Sequence, residues 1–153
     1  CFDEIEYLNV DILGMKGKSR VITVPADIQK LWNDVRVILR NPVIARYELK
    51  EDIQLGKKAG ITALCEYSLL SDNEYPTYAI TKKEITESGI RKMKQVHSGE
   101  EIGCVVLELG YFIDFKNKKL EDPLSVTLSL TESEKQDERI GISIKRMLEE
   151  YVW

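Results

Sequence analysis

The sequence predicts an α+β fold: a central mixed or antiparallel β-sheet flanked by helices, with a β-hairpin at the N-terminal end. Three observations lead to it. The apolar run Cys104-Val105-Val106-Leu107 reads as a central strand buried on both faces. Thr81 with Glu84, and Thr131 with Glu134, each form a capping box that opens a helix. Strand-like and helix-like segments follow one another without an internal repeat, a low-complexity tract or a long linker.

In chain order, Ile5 to Leu13 and Arg20 to Val24 are β-rich runs on either side of Gly14-Met15-Lys16-Gly17-Lys18, a hairpin with a longer loop. Pro25 ends it. Residues 1–25 are therefore expected to form the hairpin and 26–153 a single α+β domain. Asp27 caps a helix in which Ile28, Leu31, Trp32, Val35, Ile38 and Leu39 recur at helical spacing. Asn41-Pro42 stops it, because the residue before proline is biased out of the helical region.

Val43 to Leu49 reads as a strand, Lys50 to Gly60 as a polar turn region, and Ile61 to Leu70 as a buried helix. Pro76 to Ile80 is a short strand, followed by a short helix from Thr81 that ends at Gly89. Ile90 to Val96 and Ile102 to Phe112 read as two strands of a hairpin around His97 to Glu101, with Phe112 to Phe115 as an extension. Leu124, Val126, Leu128 and Leu130 alternate like a strand, but Asp122-Pro123 is a helix start, and the helix is the preferred reading. A last helix follows Thr131, with Ile140, Ile144, Met147, Leu148 and Tyr151 on one stripe and Trp153 at the edge of the core.

The chain has 153 residues, 43% of them hydrophobic and 31% charged, which is ordinary for a globular domain. Its net charge of −4 lacks the basic footprint of a free-standing nucleic-acid binder, so contact with DNA would need a local patch or a further segment. Cys1, Cys65 and Cys104 are odd in number and far apart, and His97 is the one histidine. A structural metal needs four clustered ligands, so neither metal nor cofactor is expected, and the thiols read as reduced residues of a cytoplasmic protein. No run approaches the roughly 18 apolar residues of a membrane span. The chain opens with Cys rather than Met, which reads as a fragment.

Candidate chemistry is sparse. Gly14 to Ser19 (GMKGKS) has the tail of a phosphate-binding loop, but Ile12 stands where its first glycine belongs, and strand-like residues replace the helix that should follow. Lys16, Lys18 and Arg20 instead crown a hairpin tip, where cations would meet DNA phosphates; the plainer reading is a solvated turn. Glu48-Leu49-Lys50 and Asp114-Phe115-Lys116 fit the acid-x-Lys triplet of metal-dependent nucleases, without an evident second acid. His97 has no partner nucleophile, and Ser68 and Ser125 lack an elbow motif. The aromatic residues Trp32, Tyr67, Tyr75, Tyr78, Tyr111, Phe112 and Phe115 read as packing residues. The balance is against an enzyme.

Four segments carry a family likeness. They are Lys30-Leu31-Trp32 running into Arg40-Asn41-Pro42-Val43; Gly60 to Leu70; Tyr75 to Ile80; and Asp122-Pro123-Leu124-Ser125 with Asp137-Glu138-Arg139-Ile140 and Trp153. Over residues 28–153 the chain resembles the C-terminal domain of bacterial winged-helix regulators similar to the abortive-infection type IV antitoxins. The resemblance implies a non-catalytic domain for dimerisation, sensing or further DNA contact, part of a DNA-binding transcriptional regulator. It implies a homodimer, and in the antitoxin case a toxin partner. Residues 5–24 would then be the wing of a truncated winged helix, with Lys16, Lys18 and Arg20 at its tip, although no recognition helix is present. The rival readings are a metal-dependent nuclease and a protein-interaction module that grips a toxin.

Overall fold

The computed structural model describes residues 13–23, 27–71, 73–113 and 115–153, without the side chains of Leu13 and Arg20. The chain divides into two compact units, Cys1–Arg40 with Trp153, and Asn41–Val152.

In the first unit, β1 (Leu13–Lys16) and β2 (Ser19–Ile22) pair antiparallel, with Lys16 opposite Ser19. The turn is the pair Gly17-Lys18, tighter than the five-residue loop that the sequence suggests. Gly17 makes it possible with a φ of +65°, which a residue without Cβ adopts at little steric cost. The strand expected from Ile5, and the end at Val24-Pro25, lie largely outside the described residues. Asp27 caps α1 (Ile28–Val35) by accepting the Lys30 N–H at 2.8 Å. The helix stops at Val35 rather than at Asn41-Pro42. Its last carbonyls are taken by tight-turn bonds, Ile38 N–H to Val35 and Leu39 N–H to Arg36.

The second unit holds β3 (Val43–Leu49), β4 (Lys57–Lys58), α2 (Gly60–Tyr67), β5 (Thr77–Thr81), α3 (Lys82–Ser88), β6 (Cys104–Leu109), α4 (Pro123–Ser129), α5 (Glu132–Gln136) and α6 (Glu138–Tyr151). The strand order is β3-β6-β5-β4. β6 runs antiparallel to β3 and parallel to β5, and β4 closes the sheet antiparallel to β5. The architecture is α+β, a four-stranded mixed sheet flanked by helices, with an N-terminal antiparallel hairpin.

The period-2 alternation of strands sorts β6 between two cores. Cys104 and Val106 join Leu49, Tyr78, Ile80, Ile85 and Ile90 on the face carrying α3. Val105, Leu107 and Leu109 join Ala59 and Ala79 on the other. All six residues of β6 are buried, as the apolar run implies. On the second face α2 packs on β5, and α4 and α6 pack on α2. Each fully buried Ile, Leu or Val contributes roughly 1.5–3 kcal/mol, so the two-sided burial of β6 is a large share of the driving force. Cys104 is buried and donates its thiol to the Glu51 carbonyl at 3.1 Å, while Cys65 is half-buried.

The helix signals at Thr81, Asp122-Pro123 and Thr131 hold, with both capping boxes formed. Four expectations are corrected. Ile90 to Val96 is not a strand: the left-handed Gly89, φ +70°, turns the chain into a 3-10 turn at Ile90–Lys92 that buries Ile90, leaving one isolated bridge from Gln95 to Leu49. The strand after it ends at Leu109, where the Gly110 N–H bonds the Pro42 carbonyl, so the described residues Phe112, Ile113 and Phe115 do not extend it. The C-terminal helix is two helices, because Asp137 leaves the helical region and caps α6 afresh through the Arg139 N–H. Within 50–60, read as turns, β4 forms a short edge strand.

Candidate functional site

At the hairpin tip Lys16 and Lys18 are exposed, and neither has an ion pair among the described residues. Gly17 lies between them in sequence, and a Cβ built on it meets nothing within 4 Å, so the turn is not packed against at that position. Arg20 pairs through its backbone with Met15, which is itself exposed. Two short strands and a two-residue turn thus present Lys16 and Lys18 together at one end of a hairpin.

The second unit builds a different polar site on its α3-bearing sheet face. Glu108 continues the Cys104, Val106 alternation, so its carboxylate enters an otherwise apolar core near the C-terminal end of β6. Burial of a carboxylate is costly unless charge and hydrogen bonds answer it. Tyr47, from β3, donates its hydroxyl to Glu108 Oε2 at 2.8 Å. Arg91, from the 3-10 turn, brings Nη2 to 3.3 and 3.2 Å from the two oxygens and Nε to 3.3 Å from the Tyr47 hydroxyl. Burial pushes the Glu108 carboxyl up, but the bonds from Tyr47 and Arg91, helped by the charge of Lys82, leave it below its ordinary value. The same bonds raise Arg91, Tyr47 first and Glu108 second. Glu108 is 4% exposed and Arg91 52%, so the carboxylate is sealed in and the guanidinium reaches water.

A second buried carboxylate has no such cation. Glu121 is 1% exposed, and its Oε2 accepts the Gly60 N–H at 3.2 Å and the Ser129 hydroxyl at 3.4 Å. Among the described residues its Oε1 has no hydrogen-bond partner, nor has the buried Ser125 hydroxyl nearby in sequence. Burial, reinforced by neighbouring Asp122, pushes the Glu121 carboxyl up to about 7 against the weaker pull of Gly60, Ser129 and Lys57. Its carbonyl accepts the Tyr67 hydroxyl at 2.9 Å, and burial, then Asp122, pushes that phenol up to about 12.

The other sequence candidates are committed elsewhere. Glu48 pairs with Arg46 at 3.2 Å, and Lys50 with Glu100 at 2.6 Å. Asp114 of the second triplet lies outside the described residues. Among the described residues no group of three or more His, Cys, Asp and Glu gathers where a metal could sit. His97 is an exposed turn residue whose N–H bonds Glu100, and Ser68 bonds the Leu64 carbonyl. Among the aromatics, Trp32, Tyr67 and Tyr78 are buried, and Tyr111 is exposed. No helix among the described residues is long and apolar enough to cross a membrane.

Sequence reasoning passed over Glu108 and Glu121. The signal for Glu108 was available: one acid on an otherwise apolar strand demands a cation from elsewhere in the chain. Which cation answers it is a long-range fact. Comparisons with family models, with curated proteins and with solved structures returned no match for this chain.

Proposed function

We propose that this chain is a non-catalytic accessory part of a DNA-binding regulator, and that its hairpin rests on the phosphate backbone. The observation that carries the reading is the pair of exposed lysines, Lys16 and Lys18, without an ion pair among the described residues, at the turn of a tight hairpin. Cations at such a turn neutralise phosphates and set the docking register without reading sequence. The resemblance of residues 28–153 to winged-helix regulators of the antitoxin type supports a regulatory role and, with it, homodimerisation. The commitment of Glu48 and Lys50 to separate ion pairs weighs against the nuclease alternative.

The test is fluorescence anisotropy of a labelled 20-base-pair duplex against the whole chain, titrated with salt. Lys16→Ala/Lys18→Ala is expected to weaken binding and to reduce the slope of log K against log salt by about 1 to 2, near 0.9 per phosphate contact. A slope and affinity identical to wild type would remove the hairpin from the interface.

A further inference from the structure

We propose that the segment from Lys82 to Lys94, on the α3 side of the sheet, is a second phosphate-contacting surface, centred on Arg91. The proposal rests on the DNA-binding reading above but concerns a different surface. Lys82, Lys83, Arg91, Lys92 and Lys94 stand against only Glu84 and Glu87 in this segment of a chain whose net charge is −4. Both acids are spoken for. Glu84 closes the capping box with Thr81, and Glu87 pairs with Lys83 at 3.7 Å. Lys82, Lys92 and Lys94 are exposed and have no ion pair among the described residues.

Arg91 separates this strip from an ordinary solvated charge run. Its Nη2 is anchored to the sealed carboxylate of Glu108 and its Nε to the hydroxyl of Tyr47. The fork is therefore held at a fixed angle, and half of the side chain still faces water. An arginine fixed in advance loses less rotamer freedom when it meets a phosphate, and the guanidinium donors not spent on Glu108 and Tyr47 are left to meet its oxygens. Lys82 on one side acts on Glu108 through its charge, and Lys92 follows Arg91 directly in the chain.

Composition selects the partner. Protein interfaces are depleted in lysine and centre on apolar or aromatic residues, whereas nucleic-acid interfaces are polar and strongly positive. The strip has three lysines without an ion pair among the described residues, an arginine and, as its one exposed large apolar residue, Met93. Duplex phosphates fit it better than an acidic protein does.

The same anisotropy titration decides the matter, using the whole chain with Lys82→Ala/Lys92→Ala/Lys94→Ala, and with the corresponding glutamine triple variant as a second form. Circular dichroism melting checks that each folds. The expected result is an affinity loss of at least about tenfold near 0.1 M salt, with the salt slope reduced by about 2 to 3. An unchanged slope in both triple variants, with loss in Lys16→Ala/Lys18→Ala, overturns the strip and leaves the hairpin reading standing. Loss in the triple variants alone supports the strip and overturns the hairpin reading. No binding by wild type overturns both. Poly-L-glutamate of matched charge is expected to compete poorly; competition equal to unlabelled duplex would overturn the nucleic-acid assignment.

Discussion

Glu108 and Glu121 are both buried carboxylates of the second unit, yet their surroundings drive them in opposite directions. Glu108 lies one residue before the end of an apolar strand where Tyr47 and Arg91 converge on it, and its carboxyl falls below its ordinary value. Glu121 sits beside α2 and α4 with one backbone N–H, one distant hydroxyl and the like charge of Asp122, and its carboxyl rises to about 7. Burial is common to both; the difference lies in the partner. A guanidinium supplies charge and direction, while an amide and a hydroxyl supply only partial dipoles that do not offset desolvation.

The largest expected effect separates the two through pH. Glu121 has a raised pKa in the folded state, so the stability it contributes is full below about pH 4.5 and is lost as pH rises through about 7. At 1.36 kcal/mol per pKa unit, the loss is on the order of 3 kcal/mol by pH 8. Glu121→Gln keeps a neutral carbonyl for Gly60 and Ser129 and does not ionise. Urea unfolding is expected to find it more stable than wild type at pH 8 by roughly that amount, and equal at pH 4. Equal stability at both pH values would mean that Glu121 ionises as freely as an exposed acid.

Glu108→Gln is expected to do the reverse. It removes the charge from bonds to Arg91 and costs about 2 kcal/mol at neutral pH. Because the folded Glu108 pKa is lowered, the stability from its charge is present above the ordinary carboxylate pKa and fades as pH falls through the lowered value. The gap between wild type and variant should therefore narrow in acid, again by urea unfolding. A gap that stays constant across the acid range would show that the carboxylate gains nothing from its charge.

The smallest effect tests the geometry behind Arg91. Tyr47→Phe removes one hydroxyl that both donates to Glu108 and accepts from Arg91. A loss of about 1 kcal/mol is expected from the missing bonds. Because Arg91 would also lose one of its two anchors, DNA affinity should fall with little change in salt slope. Loss of slope as well would mean that Tyr47 keeps the cation itself in place.

The fold class was legible because its signals are local. The burial of β6 on both faces follows from the apolar run Cys104 to Leu107, and the helix starts at Thr81, Asp122 and Thr131 follow from side chains that satisfy amides three residues on. The exposure of Lys16 and Lys18 was equally legible, since a glycine between lysines in a turn needs no tertiary partner. The segment after Gly89 was misread for the same reason in reverse. Ile90, Met93 and Val96 are strand-like in composition, but the left-handed glycine and the burial of Ile90 in the α3-side core draw the chain into a turn.

By itself, the sequence determined the α+β class, the central strand, the capped helices and the exposed lysines of the hairpin, because each depends on neighbours a few residues away. Only the tertiary structure decided the strand order β3-β6-β5-β4, the fate of Ile90 to Lys94, and the unlike states of Glu108 and Glu121. Arg91 meets Glu108 across 17 residues, Tyr47 meets it across 61, and Gly60 meets Glu121 across 61. Such pairings are set by which faces of the sheet can be buried together, and the residue types along the chain do not encode that one at a time.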